Sequence, residues 1–152
     1  MAFADSNAGT RYIIAGYGAC TVTLDRSCRV GDILGVAEGT FDELGPVNAN
    51  DSGNATSETI VPRLIAGEAG EDTDIITAYP IAIVGGYSGG TLGTKMYAAG
   101  TGSGQTATDA GQISDSEATG GTGSCTSVIG IMLDADKCLL FPCARKWHDE
   151  AT

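Results

Sequence analysis

The chain has 152 residues, a net charge of −11 and 23 glycines, with one Trp and three Phe. That is material for one domain with a single core, and it excludes an architecture of packed helices for want of large anchoring side chains. The eight basic residues are dispersed, which excludes direct binding to a phosphate backbone, and no apolar run approaches the ~20 residues of a membrane span.

In chain order, residues 1–10 are small and polar, with Phe3 the one large apolar side chain among them. They predict a flexible arm with no basic start and no apolar run, so no leader is expected and the chain is expected to fold in a cytoplasm. Ordering such a segment costs about 1–2 kcal/mol per residue, so the arm is expected to order only against a partner, with Phe3 filling a pocket there. Residues 11–142 read as a single β domain and 143–152 as a C-terminal tail.

Tyr12-Ile13-Ile14 starts a strand, and Cys20–Asp25 alternates apolar and polar as a half-buried strand does. After a polar break at Arg26-Ser27, the Gly31-Asp32 turn leads into Ile33–Ala37. Glu38–Asp74 is dense in turn-forming residues and carries one apolar island, Thr59–Ala66, read as an edge strand because Pro62 has no amide donor. Asp74–Val84 reads as a strand, Gly85–Gly90 as a glycine loop and Thr91–Ala98 as another strand. Gly100–Gly123 is a low-complexity segment interrupted by Gln112-Ile113, expected to be a long mobile loop or a hairpin excursion around Ile113. Ser127–Pro142 is two apolar segments joined by Asp134-Ala135-Asp136-Lys137, a closing β-hairpin. The fold predicted is a small all-β domain with long Gly-rich loops.

Candidates for chemistry are few. Gly86-Tyr87-Ser88-Gly89-Gly90 fits a nucleophile elbow, followed by Asp134 or Asp136 and by His148, the one histidine. That site needs a helix directly after the serine, whereas Thr91–Tyr97 reads as a strand, so an esterase is not expected. Gly100–Gly104 and Gly120–Ser124 lack the Gly-Lys-Ser/Thr of a phosphate loop. Asp134 and Asp136 read as turn formers, since the other ligands of a calcium loop are missing. The count of five cysteines is odd and none forms a C-x-x-C pair. Cys20 and Cys138 read as small buried hydrophobes, and a disulfide formed after release into an oxidising medium stays open. No catalytic residue, metal or cofactor is therefore expected. Trp147, beside Arg145 and Lys146, is a candidate interface anchor together with Phe3.

The strand Cys20–Leu24, the Val30-Gly31-Asp32 turn into a short apolar strand, the glycine turn before Lys95-Met96-Tyr97 and the closing Ile129-Gly130-Ile131…Leu139-Leu140-Phe141-Pro142 hairpin stand in a particular order. In these the chain resembles the capsid cement family, the small decoration proteins on the outside of tailed-phage capsids, over roughly residues 12–142. It departs from that pattern in its five cysteines, a longer Glu38–Asp74 insertion and a cysteine-containing tail. The resemblance implies a small β-barrel or β-sandwich-like domain, a homotrimer on the outer capsid surface of a virion that bridges major capsid protein subunits; with the charge and hydropathy above, neither nucleic acid nor membrane is expected as a direct partner. A ligand-binding β module, carbohydrate-binding or from a fibre, is the alternative, and its aromatic platform would have to come from Trp147 with Tyr12, Tyr17, Tyr79, Tyr87 and Tyr97.

Overall fold

A computed structural model describes residues 3–5, 10–36, 43–47, 62–99, 110–117 and 127–142. Among them are eleven strands: β1 (Tyr12–Tyr17), β2 (Cys20–Leu24), β3 (Ile33–Val36), β4 (Glu43–Pro46), β5 (Leu64–Ala66), β6 (Ile75–Tyr79), β7 (Ile81–Gly85), β8 (Lys95–Ala98), β9 (Ile113–Ser114), β10 (Val128–Met132) and β11 (Lys137–Leu140). The domain is all-β, as the sequence predicts. It holds a six-stranded antiparallel sheet, ordered β1-β7-β11-β10-β8-β9, and a closed barrel, β2-β4-β3-β5-β6.

One long ribbon joins the two parts. β1 runs into β2 while β6 runs into β7, and the pairs stay antiparallel across the corner, with Tyr17 opposite Ile81 in the sheet and Cys20 opposite Ala78 in the barrel. The corner is built by Gly18, whose φ of 73° is open to glycine, and by Pro80, which lies where a Gly18 side chain would begin. Asp74–Val84 is thus two strands in two sheets, not one.

Side-chain alternation divides the core accordingly. Val84, Met96, Ile129, Met132, Cys138 and Leu140 lie buried under the sheet in the larger cluster, while Leu24, Leu34, Ala66, Ile76 and Ala78 fill the barrel. β3 serves both: Ile33 joins the first cluster and Leu34 the second.

Several expectations change. The island strand is β5, which pairs with both β3 and β6 and so is not an edge; Pro62 precedes it, where its missing donor is not needed. β4 lies inside the segment read as turns. Cys20 is exposed, while Cys28 and Cys138 are buried, and all three are free thiols. Burial pushes the Cys28 thiol up to about 11 and the Cys138 thiol up to about 12, so both stay protonated and inert. Of Gly100–Gly123 the structure describes residues 110–117, where Ile113 pairs with Ala98. Cys125 and the tail 143–152, with Trp147 and His148, lie outside the described residues.

Candidate interaction surface

The N-terminal segment is anchored where it is described, contrary to the expected arm. Phe3 is 5% exposed, with its ring 5.7 Å from that of Tyr87, so it fills a pocket of its own domain and is not free for a partner's. Ala4 and Ser88 exchange two backbone hydrogen bonds at 2.9 and 3.1 Å. Asp5 accepts from the Ile113 amide at 2.9 Å, and its carbonyl accepts from the Gln112 side chain at 2.8 Å. Three residues at a chain end stay packed because each makes a contact with a distant part of the molecule. Met1, Ala2 and residues 6–9 lie outside the described residues.

Behind Asp5 is a buried ionic junction. Arg11 lies between the Asp5 carboxylate, 3.3 Å away, and that of Asp32, all three side chains being almost fully enclosed. Asp32 also accepts from the Arg29 amide at 2.8 Å, closing the turn that launches β3, and Gly111 packs where any side chain would strike the Asp32 carboxylate. Burial, helped by the nearby Asp32, raises the Asp5 pKa to about 6 against the pull of Arg11 and the Ile113 amide. Burial opposes charge on Arg11 as well, but Asp5 and Asp32 outweigh it and hold the guanidinium charged. Asp5 Oδ1 and the Tyr87 hydroxyl are buried without a hydrogen-bond partner. This cluster ties the N-terminus, the sheet and the barrel, and it is enclosed.

The outer face of the six-stranded sheet has a different character. Register places Ala15, Ile83, Leu139, Ile131 and Lys95 in one row across five strands, and Tyr17 opposite Ile81 in the next. Tyr12, Tyr17, Ile81 and Ile131 are exposed, by 37 to 55%. None of the six strands contains an aspartate or glutamate. In an antiparallel sheet with one face in water, strands ordinarily alternate apolar and polar. Here Ile81–Val84 and Val128–Met132 are apolar at both parities, so the sheet has a second apolar face, and soluble monomers rarely leave a contiguous apolar patch open.

A third surface lies on the barrel, in the turn before β6. Glu68, Glu71, Asp72 and Asp74 are all exposed, and Ile75 next to them is 70% exposed. The turn is held by Asp74 accepting from the Glu71 amide at 2.8 Å, by Cys28–Gly70 backbone pairing and by the Thr73 amide donating to Leu24 at 2.8 Å. Thr73 adopts φ 71°, a left-handed conformation that strains a β-branched residue.

The residues singled out for chemistry are not brought together. No helix follows Ser88: residues 91–94 turn into β8, so the scaffold of a nucleophile elbow is missing there. Asp134 and Asp136 are occupied by Lys137, whose ammonium lies 2.8 and 3.2 Å from them, while Asp134 also accepts from the amides of Asp136 and Lys137. Those contacts, the lysine first, hold the Asp134 carboxyl far below the usual carboxylate range. Among the described residues no group of His, Cys, Asp and Glu is arranged to hold a metal. Of the five tyrosines Tyr87 is buried, Tyr79 and Tyr97 are half-buried, and the exposed Tyr12 and Tyr17 stand at opposite ends of β1. They are about 15 Å apart, too far for one sugar ring to bridge as a platform. No helix among the described residues is long and apolar enough to cross a membrane.

Comparisons of the chain with protein-family models, with curated proteins and with solved structures find no match. The outer sheet face has a local signal in the double-parity apolar runs Ile81–Val84 and Val128–Met132. The ionic junction carries no local signal, because Asp5, Arg11 and Asp32 meet only through the fold.

Proposed function

We propose that this chain is a structural virion protein that decorates and stabilises the outer surface of an icosahedral phage capsid by bridging major capsid protein subunits, self-associating as a homotrimer. The observation that carries the reading is the apolar outer face of the six-stranded sheet, with Tyr12, Tyr17, Ile81 and Ile131 exposed on a strongly acidic all-β domain. A protein that acts by attachment needs such a surface and a rigid body behind it; a cyclic oligomer multiplies modest contacts into avidity without an active site. The sequence resemblance supports the same role, and on this reading the chain needs neither catalytic residue nor cofactor.

The test is attachment. Undecorated shells of the virus that encodes the chain should bind the purified protein at symmetry-related sites seen by electron microscopy, and the decorated shells should resist heating longer. Shells that bind none of it, or an esterase activity abolished in Ser88→Ala, would overturn the proposal.

A further inference from the structure

We infer that copies of this chain join head to tail, the outer face of the six-stranded sheet of one copy receiving the acidic barrel flank, residues 68–75, of the next. The inference rests on the reading of the chain as a self-associating capsid protein, since it names the two surfaces that the copies share.

Symmetry gives the first argument. A contact between identical patches pairs two molecules and stops, whereas a ring of three needs two different patches on each copy. The described surface offers such a pair. One is broad and apolar, with no carboxylate in its strands. The other projects Ile75, 70% exposed, from a turn with four exposed carboxylates.

Charge gives the second. Two chains of −11 repel, and the repulsion is weakest where one of them presents no net negative charge. On the sheet face the Lys137 ammonium is bound between Asp134 and Asp136, while Lys95 is exposed directly opposite Ile131. Stacking two sheet faces would set like against like and leave the carboxylates unused. Head-to-tail contact instead seats Ile75 against Ile83, Leu139 and Ile131, with Glu71, Asp72 and Asp74 around Lys95. The flank is already held by its own hydrogen bonds, so little ordering cost opposes docking.

The experiment is sedimentation of the full chain and of two variants, Ile75→Asp and Ile131→Asp, with circular dichroism to confirm folding. Wild type should sediment as a closed trimer, and its association should weaken about tenfold or more as salt is raised from about 0.05 to about 0.5 M. Each variant alone should be monomeric. Mixed one to one, they should form a heterodimer, because the intact flank of the Ile131→Asp copy meets the intact sheet of the Ile75→Asp copy. Should Ile131→Asp not fold, Lys95→Glu at an exposed position takes its place, with weaker assembly expected.

A wild type that is monomeric, a dimer broken by the sheet variant but indifferent to Ile75→Asp, or a mixture that stays monomeric would overturn the inference. A monomer that still decorates shells defeats this contact and leaves the capsid role standing. Head-to-tail trimers that never attach to shells support the contact and defeat the capsid role.

Discussion

The barrel and the six-stranded sheet are made from the same kinds of residue, yet they treat their edges and faces in opposite ways. The barrel closes on itself, so each of its five strands has two neighbours, and it needs a cluster of only six buried residues among those described. The sheet stays open, with β1 and β9 as edges and fourteen buried residues beneath one face. Its other face has apolar side chains that no described residue covers in full, Tyr12, Tyr17, Ile81 and Ile131 being exposed there. Closure satisfies a β structure internally; an open sheet with two apolar faces keeps edges and a surface that further packing can still cover. The ionic junction ties the self-sufficient part to the part left unfinished.

The sharpest way to break this pairing is to remove the tie. Arg11→Ala leaves the Asp5 carboxylate buried without its cation and Asp32 with only Arg29, 3.9 Å away, and the loss should be about 3–5 kcal/mol of unfolding free energy in a urea titration. One cooperative transition should persist, because Ile33 and Leu34 on one strand serve both cores. Separate transitions for barrel and sheet would show that the two parts fold independently.

Next in size is Phe3→Ala, which empties part of the sheet core and should cost about 3 kcal/mol in the same titration. An arm that ordered only on a partner would show no such loss, so an unchanged midpoint would restore that picture and remove Phe3 from the core.

Asp5 supplies a pH test of the junction. It faces Arg11, Asp32, Arg29, Tyr87 and the Ile113 amide. Its folded pKa of about 6 lies above the ordinary 3.8, so between these values the folded state binds more protons than the unfolded one. The Asp5 contribution is therefore most favourable below about pH 4 and declines as pH rises through about 6. Asp134 runs the other way: with its carboxyl held low, its contribution is present above the ordinary carboxylate range and is lost as pH falls. In Asp5→Asn the decline disappears, so stability relative to wild type should move in the variant's favour by up to about 3 kcal/mol between pH 4 and pH 7. Parallel pH profiles for the two proteins would contradict the assignment.

The smallest effect belongs to the barrel flank. Thr73→Gly relieves a strained φ but loosens the unfolded chain, and should raise stability by about 0.5 kcal/mol, read as a small increase in melting temperature. A decrease would mean that the threonine side chain holds the turn.

How much of this was legible in the sequence depends on the range of the interactions. The closing hairpin and Cys20–Leu24 announce themselves, because alternation and turn residues lie within a few positions of one another. β4 does not, since Glu43-Leu44-Gly45-Pro46 contains two residues that argue against a strand. Pro46 is tolerated because pairing with β2 ends at Leu44, and Gly45 is needed because a side chain there would strike Asp25 and Arg26. The packing of residues 3–5 was illegible for a different reason: composition reports how much a segment can bury, not which distant groups await it. The outer sheet face lay between these cases. Its apolar runs were visible, but only the strand order shows which parity points away from the core.

The position of β11 has a consequence for synthesis. It is the last described strand in the chain, yet it lies inside the sheet, between β7 and β10. While a ribosome is still making residues 137–140, β1 and β7 have no bridge to β10 and β8, and both halves present unpaired backbone. Non-local pairing of this kind is slow and exposes edges to neighbouring nascent chains. The same arrangement is a check on length, since a product cut short before Lys137 cannot join the halves of its sheet and is left open to proteolysis.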